Sequence, residues 1–389
     1  MEKLNIALIG AGFMGKAHTV AFSNMPKFFW PAPAMPVFKT ICDIVPEIAE
    51  DSKKRFGFEK SCTDWRNIVN DPEIDVVSVC TPNDSHAEIS IAALKANKHV
   101  ICEKPIANTI ENAKAMADAA EEVKSKNIIT MCAYQYRRIP AVVLAKKFIE
   151  EGSIGEILNV RATYLQSWSA DPASPLSWRF QKEIAGAGTL GDIATHVIDL
   201  SQYLAGNISE VVSNIKTYID ERPVQEGGVD LLGTVKIDSD AKKAPVDVDD
   251  EASFLVKFES GAVGSIEATR NAWGRNNFIT IEVHGTEGSL FFNYERLNEL
   301  QVCFAKDPDD RRGFKTIYTG PAHFYGEVTW NIPGMNIGYG ELKTIEIYEF
   351  VKSIIEGRQP STSFDVAYQI SKVCDAVVRS FESGRWEKC

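Results

Sequence analysis

The chain has 389 residues, enough for two domains that each bury a core, which excludes a small disulfide-stapled scaffold, and 44% of its residues are hydrophobic, which is ordinary for a globular protein. Lys and Arg number 42 against 53 Asp and Glu, so the net charge is −11, which disfavours nucleic acid and anionic membrane as partners. No apolar run approaches the roughly 20 residues of a membrane span, and the first residues do not resemble a signal peptide, so we expect a cytoplasmic protein.

Residues 1–135 alternate short apolar runs with amphipathic stretches. The runs predict strands at 4–9, 37–42, 75–80, 99–102 and 128–132, and the stretches predict helices at 15–24, 46–56, 85–96 and 111–126. Apolar strands separated by helices are typical of a parallel sheet covered on both faces. We therefore predict an α/β domain with a doubly wound, Rossmann-type sheet over residues 1–135.

The pattern changes after a helix predicted at 140–151. Period-two alternation predicts strands at 157–166, 211–218, 254–258, 262–269, 278–283 and 290–294, and intervening turns such as Glu259-Ser260-Gly261 predict hairpins. Two further helices are predicted at 341–356 and 364–383. We predict a second, α+β domain over residues 136–389 with a mostly antiparallel sheet, whose last helices are able to pack back on the first domain.

A glycine motif, Gly10-x-Gly12-x-x-Gly15, follows the first strand and opens the first helix, with Phe13 and Met14 in its variable positions. The first glycine permits a tight turn, the second permits close approach of a pyrophosphate, and the third permits close packing of the helix on the strand. In this setting the motif predicts dinucleotide binding rather than a purely structural turn.

Asp43 follows the second strand, where an acidic residue can accept the ribose hydroxyls of NAD. It lies further beyond the motif than the roughly 20 residues usual, but a Pro-rich insertion at 26–36 accounts for the excess. Ile44-Val45-Pro46 offers no cation for a 2′-phosphate, so NAD is favoured over NADP. The alternative for Asp43 is a helix cap or turn residue.

Two further motifs follow the next two strands: Thr81-Pro82-Asn83 with His86, and Glu103-Lys104-Pro105. Ligands bind at the carboxyl edge of a doubly wound sheet, so we expect these motifs to face the nicotinamide end of the cofactor. The charge of Lys104 could stabilise a developing alkoxide. A surface charge is the alternative for Lys104.

Asp192 and His196 are spaced i, i+4 on a predicted helix with Thr195 beside them, so their side chains project from one face. An imidazole titrates near neutral pH, so His196 could accept a hydroxyl proton while Asp192 orients it. A helix-surface ion pair is the alternative.

Aromatic and guanidinium side chains surround this segment in sequence: Tyr136, Trp168, Trp178 and Arg179. Aromatic faces beside polar groups suit a polyhydroxylated ring, although a core or surface role is equally compatible with each residue. The scattered eight cysteines and six histidines contain no Cys-x-x-Cys or His-x-x-x-His pair, so we expect no metal site.

Together these motifs, with the turn His284-Gly285-Thr286-Glu287-Gly288, resemble those of the Gfo/Idh/MocA (glucose–fructose oxidoreductase / inositol dehydrogenase) family over essentially the whole chain. The resemblance implies NAD bound in a Rossmann domain, substrate presented on an open-faced antiparallel sheet, and a homodimer or homotetramer. It implies Lys104, Asp192 and His196 as the catalytic residues. Trp178 and Arg179 join the motif residues named above, Glu103 and Lys104 included, as implied cofactor contacts.

Finer features resemble family members that oxidise levoglucosan, a 1,6-anhydroglucose, at its C3 hydroxyl: residues 28–34, 166–172, 177–182 and 191–196. They imply a small sugar as substrate, contacted by the catalytic residues together with Tyr136, Gln166, Arg179 and Thr195. Ala194 departs from the glycine of many members, which leaves the pocket shape open. An inositol or other pyranoside dehydrogenase, an NAD-dependent glycosidase and a catalytically silent sensor are the alternatives.

Overall fold

The computed structural model describes residues 1–224 and 241–389, and the chain forms two compact units. The first consists of Met1–Gln135 with Ile337–Gln369, and the second of Tyr136–Asn336 with Ile370–Cys389. The chain passes from the first unit to the second after residue 135, and residues 337–369 belong to the first unit.

The first unit contains a six-stranded parallel sheet in the order β3-β2-β1-β4-β5-β6. Its strands are β1 (Lys3–Ile9), β2 (Met35–Cys42), β3 (Lys60–Cys62), β4 (Val76–Val79), β5 (His99–Cys102) and β6 (Thr130–Cys132). Its first helices are α1 (Phe13–Phe28), α2 (Pro46–Phe56), α3 (Arg66–Val69), α4 (His86–Lys95) and α5 (Ile110–Lys124). The order reverses between β1 and β4, which creates the crevice where dinucleotides bind in such sheets.

Two local features of this unit differ from the prediction. The helix predicted at 15–24 and the strand predicted at 37–42 both extend into the Pro-rich segment 26–36, because α1 continues through Pro26 to Phe28 and β2 begins at Met35. Pro26 lies in the last turn of the helix, where its missing N–H costs a single hydrogen bond. The three-residue strand β3 and the four-residue helix α3 were not predicted, because such short segments carry almost no periodicity.

The second unit begins with α6 (Pro140–Glu150) and is built on a nine-stranded sheet in the order β16-β15-β14-β13-β7-β12-β11-β8-β17. All neighbouring strands are antiparallel except β7 and β12, which are parallel. The helices are α7 (Lys182–Ala185), α8 (Thr195–Ala205) and α9 (Gly326–Thr329). The strands are β7 (Ile157–Leu165), β8 (Ile208–Lys216), β9 (Glu221–Pro223), β10 (Lys243–Pro245), β11 (Glu251–Phe258), β12 (Val263–Thr269), β13 (Phe278–Gly285), β14 (Gly288–Asn293), β15 (Glu299–Phe304) and β16 (Lys315–Tyr318).

The predicted alternation gives this sheet one buried and one exposed face. In β11, Phe254 and Val256 are buried whereas Leu255 between them is exposed, because successive side chains of a strand point to opposite faces. The predicted hairpins β11–β12 and β13–β14 are present, and β9 and β10 pair separately. The predicted fold class, a Rossmann-type domain followed by an α+β domain with a mostly antiparallel sheet, is therefore confirmed.

The chain ends with α10 (Tyr339–Glu356), α11 (Phe364–Ser383) and the short strand β17 (Glu387–Lys388). Helix α10 packs against α1 within the first unit, with Phe29 stacked on Tyr348 at 3.7 Å between ring centroids. Among the residues that the structure describes, no helix is both long and apolar enough to cross a bilayer.

Candidate active site

The glycine motif forms a turn between β1 and α1 that only glycine permits at two positions. Gly10 has φ +94°, and a Cβ there would lie 2.5 Å from the carbonyl oxygen of Cys80. A Cβ at Gly15 would lie 2.1 Å from the carbonyl oxygen of Gly10. Helix α1 begins at Phe13, so its unpaired first N–H groups face this turn, as pyrophosphate binding requires.

Asp43 follows β2, and its carboxylate is anchored by main-chain donors. Oδ2 accepts from the Ala11 N–H and Oδ1 from the Val45 N–H, each at 3.0 Å. The turn role left open by the sequence is therefore present. A carboxylate has about four acceptor sites, so these bonds orient Asp43 while leaving capacity for ribose hydroxyls. The turn, the helix start and this acceptor together fit a dinucleotide.

Phe13 and Met14, in the variable positions of the motif, both contact Tyr339 of α10. The Phe13 and Tyr339 ring centroids are 6.4 Å apart, and the Tyr339 hydroxyl lies 3.7 Å from the Met14 sulfur. Half of Phe13 remains exposed. Helix α10, in the C-terminal part of the same unit, thus packs against the variable positions of the glycine motif.

His86 is fully buried and joins the two motifs at the ends of β4 and β5. Its Nε2 lies 2.9 Å from the carbonyl oxygen of Thr81, and its Nδ1 lies 2.9 Å from that of Pro105. Burial lowers the pKa of His86 below its ordinary value. Asn83 is buried at the start of a short 3₁₀ turn within the first of these motifs. The structure therefore places His86 as a support between the turns.

Glu103 lies beneath Lys104, inside a buried network of charges. Its Oε1 is 2.9 Å from both His18 Nε2 and Lys343 Nζ, and its Oε2 accepts from the Lys104 N–H at 3.2 Å. Lys343 Nζ also lies 2.9 Å from Glu346 Oε2. We call His18, Glu103, Lys343 and Glu346 the buried tetrad.

Interactions within the tetrad shift the pKa values of His18, Glu103 and Lys343 toward their charged forms. Burial alone would raise the pKa of Glu103, but the charge of Lys343 and the hydrogen bond from His18 hold it well below its usual range. Burial alone would lower the pKa of His18, but Cys80 and Glu103 raise it to about 9. Charged forms of Glu103, His18 and Lys343 are therefore favoured beside the Glu103-Lys104-Pro105 turn.

In the second unit, Asp192 lies in a π-helical segment, Leu190–Ala194, that continues into α8. The predicted α-helix is therefore wrong at its start, because the wider π turn precedes His196; such turns occur frequently at functional sites. Asp249 fixes the turn: its two carboxylate oxygens accept from the N–H groups of Gly188 and Leu190, each at 2.7 Å. A Cβ at Gly188 would lie 1.8 Å from the Asp249 carbonyl oxygen, so glycine is required there.

Asp192 pairs with Arg270, which follows β12. Arg270 Nη1 lies 3.3 Å from Asp192 Oδ2, and its side chain is fully buried, whereas 22% of the Asp192 side chain is exposed. The His196 ring lies 4.6 Å from the Tyr136 ring and 6.0 Å from the Tyr164 ring, measured between centroids. Asp192 and His196 thus lie beside a surface formed by Tyr136 and Tyr164, which we call the aromatic wall.

A chain of hydrogen bonds runs along this wall. The hydroxyls of Tyr136 and Tyr164 are 3.2 Å apart, and Tyr164 donates to Asn277 Oδ1 at 2.7 Å. Gln166 Nε2 donates to the same Asn277 oxygen at 2.9 Å, and Trp168 Nε1 donates to Gln166 Oε1 at 2.9 Å. The structure therefore brings the predicted residues Tyr136 and Gln166 into one polar, aromatic surface.

Two other predicted contacts have local partners. The Thr195 hydroxyl is buried and donates to the Gly191 carbonyl at 3.0 Å, so its oxygen can only accept from a ligand. Trp178 and Arg179 lie in a short 3₁₀ turn, with the Arg179 guanidinium 4.4 Å from the Trp178 ring centroid. Lys104 belongs to the first unit, and Asp192 and His196 belong to the second.

The sequence analysis missed four residues of this surface: Tyr164, Asp249, Arg270 and Asn277. Tyr164 reads as an ordinary buried strand position, and the other three follow or precede strands without a motif around them. Their only signal was a polar side chain at the end of an apolar strand, which is too common to single them out. Among residues 1–224 and 241–389, no group of His, Cys, Asp and Glu could hold a metal ion.

Two family descriptions match this chain. Residues 4–130 match the oxidoreductase family with an NAD-binding Rossmann fold, and residues 142–291 match the GFO/IDH/MocA C-terminal domain. Levoglucosan dehydrogenase of Pseudarthrobacter phenanthrenivorans is 60% identical over 386 residues, which are 99% of this chain and 98% of that protein. Myo-inositol 2-dehydrogenase of Thermotoga maritima is 27% identical over 362 residues, 92% of this chain and 91% of that protein.

A solved structure shows the same architecture. Levoglucosan dehydrogenase in complex with NADH and levoglucosan has a TM-score of 0.93 and 58% identity, covering 100% of this chain and 99% of that one. The predicted enzyme class and NAD cofactor are confirmed. The chain belongs to the Gfo/Idh/MocA family and is an NAD-dependent oxidoreductase.

Proposed function

We propose that this enzyme is a sugar dehydrogenase that oxidises the C3 hydroxyl of levoglucosan to a ketone and reduces NAD. The proposal is carried by one observation: Asp192 and His196 lie beside the hydrogen-bonded surface of Tyr136, Gln166 and Trp168. Aromatic faces next to amide and hydroxyl groups suit the apolar face and polar rim of an anhydrosugar. The 60% identity to levoglucosan dehydrogenase supports this substrate.

In the proposed reaction His196 accepts the hydroxyl proton as general base. The C3–H bond breaks with its electron pair, a C=O bond forms, and bound NAD supplies the acceptor for the departing hydride. Asp192 orients the imidazole or a second hydroxyl, and Lys104 stabilises the negative charge that develops on the oxygen. These three residues are the proposed catalytic group.

We assign cofactor binding mainly to the first unit. The turn of Gly10, Gly12 and Gly15 and the start of α1 would hold the pyrophosphate, and Asp43 would accept the adenosine ribose hydroxyls. The remaining proposed cofactor contacts are Phe13, Met14, Thr81, Pro82, Asn83, His86, Glu103, Lys104, Trp178 and Arg179. Tyr136, Gln166, Arg179 and Thr195 are the proposed substrate contacts beside the catalytic group.

A substrate panel tests the proposal. The enzyme is mixed with NAD or NADP and with levoglucosan, myo-inositol, glucose or a methyl glucoside, and reduced-cofactor absorbance is followed. We expect NADH formation with levoglucosan and much less with NADP, and product NMR locates the new ketone. Activity only on another polyol would keep the mechanism and reject the substrate. Release of an aglycone without NADH would favour a glycosidase.

The role of His196 has its own test. His196→Ala should lower kcat by about 10²-fold or more while the NADH dissociation constant stays nearly constant, because the imidazole acts on the substrate proton. Oxidation by the unmodified enzyme should rise with pH as the base deprotonates. A large loss of NADH binding in the variant would place His196 elsewhere in the reaction.

We also propose that the open face of the nine-stranded sheet is covered in a homodimer or homotetramer. Leu255 and Val263 are about half exposed on this face, and apolar side chains exposed on a broad sheet are typical of interfaces between copies. Light scattering of the purified enzyme gives the number of copies, and a monomer at micromolar concentration would reject this assembly.

A further inference from the structure

Arg270 is a buried cation beside a residue of the proposed catalytic group. It follows β12, its side chain is fully buried, and its Nη1 lies 3.3 Å from Asp192 Oδ2. Its Nη2 lies 3.4 Å from the carbonyl oxygen of Asp249, the residue that fixes the π turn. One guanidinium therefore contacts both the side chain of Asp192 and the anchor of the turn that carries it.

The surroundings of Arg270 hold its guanidinium in place. Its Cζ lies 4.9 Å from the ring centroid of Trp168 and 5.3 Å from that of Phe180. Trp168 in turn donates to Gln166 on the proposed sugar surface. Planar guanidinium groups stack on aromatic rings with directional preference, so Arg270 has little freedom to rotate.

The ion pair is asymmetric in exposure. Burying a cation costs free energy unless an anion pairs with it. Arg270 is fully buried, whereas 22% of the side chain of its partner Asp192 is exposed to solvent. The opposite charge favours the ionised form of Asp192, which accepts hydrogen bonds and donates none. The pair thus presents an oriented carboxylate to whatever occupies the exposed side.

We propose that Arg270 is a positioning residue for catalysis: it keeps Asp192 ionised and fixes the plane of its carboxylate, so that Asp192 can orient His196 or a sugar hydroxyl. This inference rests on the proposed function, because it assumes that Asp192 acts on the substrate or on His196. Arg270 acts through Asp192 and need not contact the sugar.

Arg222 offers a matched control. It is also fully buried, and its Cζ lies 4.2 Å from the ring centroid of the same Phe180. Its guanidinium donates to main-chain carbonyl oxygens, including that of Asp171 at 2.9 Å, and not to Asp192. A substitution at Arg222 therefore removes a buried guanidinium from the same cluster without removing the partner of Asp192.

The first experiment compares Arg270→Met, Arg270→Lys and Arg222→Met. Steady-state oxidation of the sugar gives kcat and KM across pH 5–10, and NADH fluorescence gives the cofactor dissociation constant. Arg270→Met should lower kcat about 10- to 100-fold and move the acidic limb of its pH profile upward, because loss of the buried cation favours protonation both of Asp192 and of the proposed base His196. Arg270→Lys keeps the charge and should restore the position of that limb.

Arg222→Met should lower the melting temperature, but its kcat per folded enzyme should stay within about twofold of the parent value and its pH profile should not shift. The NADH dissociation constant should change little in all three variants. Equal losses of kcat and equal profile shifts in the Arg222 and Arg270 variants would overturn the proposal, since packing alone would then explain both.

A double-mutant cycle keeps the test decisive if Arg270→Met does not fold. Arg270→Lys is combined with Asp192→Asn, and each single change is measured beside the pair. We expect Arg270→Lys to cost much less in the Asp192→Asn background than in the parent. Equal cost in both backgrounds would overturn the role of Arg270 alone. Unchanged kcat in Asp192→Asn by itself would overturn the assignment of Asp192, and this inference with it.

Discussion

Each unit contains a buried cluster of charged side chains, and the two clusters differ in their exposure to solvent. The tetrad of the first unit contains two cations and two carboxylates, His18, Glu103, Lys343 and Glu346, and none of these side chains is more than 6% exposed. In the second unit Arg270 is sealed, but its partner Asp192 is partly open. A closed, balanced cluster can only support structure, whereas an ion pair with an exposed anion can also act on a ligand.

The closed cluster has a definite structural task. It joins α1, the end of β5 and α10, so the two stretches of chain that form the first unit, residues 1–135 and 337–369, meet at the Glu103-Lys104-Pro105 turn. We therefore expect that breaking the tetrad mainly changes stability, and that breaking the Arg270–Asp192 pair mainly changes catalysis. Four measurements test this division.

The largest effect on stability is expected from Lys343→Met. The change removes the ammonium group that Glu103 and Glu346 share and leaves both carboxylates buried. Removal of one partner from a buried ion pair costs about 3–5 kcal/mol of folding free energy. Denaturant unfolding should show a loss of this size. A loss below about 1 kcal/mol would mean that the tetrad is not a closed cluster in solution.

The second prediction concerns the pH dependence of stability. The pKa of His18 is about 9 in the folded chain, above its ordinary value of 6.5, and its ring faces Ser78, Cys80, Glu103 and Lys343. Protonated His18 therefore stabilises the folded chain, and this contribution to the free energy of unfolding is complete below about pH 6.5. It is lost as the pH rises through about 9.

Urea midpoints measured from pH 6 to pH 10 should therefore fall more steeply for the parent enzyme than for His18→Gln. The glutamine keeps a hydrogen-bonding side chain but does not titrate. Identical slopes for the two proteins would show that His18 does not carry a raised pKa in the folded state.

The third prediction concerns the open surface. Tyr164→Phe removes the hydroxyl that donates to Asn277 at 2.7 Å and lies 3.2 Å from Gln166 Nε2. Loss of about 1 kcal/mol of hydrogen bonding should raise the KM for the sugar roughly five-fold, with little change in kcat, because Tyr164 orients a contact residue. A loss of kcat as large as that of His196→Ala would instead place Tyr164 in the chemistry.

The smallest effect is expected for an exposed pair. Lys114 and Asp118 are 2.6 Å apart on α5, and both side chains are more than half exposed. Exposed i, i+4 ion pairs contribute little because water screens them. Lys114→Met should leave the melting temperature and kcat unchanged within error, and it serves as the control for Lys343→Met. A marked destabilisation would show that exposure does not separate these two lysines.

Much of the candidate site could be predicted from short motifs. The glycine turn, Asp43 and the Glu103-Lys104-Pro105 turn follow strands whose apolar runs are unambiguous, so their place at the carboxyl edge of a parallel sheet follows directly. The segment around Asp192 was harder. Its i, i+4 spacing predicts a regular helix, but the structure has a π turn there, and Asp249, distant in sequence, accepts the N–H groups of Gly188 and Leu190 at its start.

The sequence by itself determined the two fold classes, the dinucleotide motif and the residues nearest the proposed chemistry, because strand periodicity and glycine turns are local properties of the chain. Only the tertiary structure decided the partners of those residues. Arg270 beside Asp192, and Lys343 beside Glu103, are separated by long stretches of chain, and burial decides which distant charges must pair. No local pattern encodes that pairing, because its energy arises only when both groups leave water together.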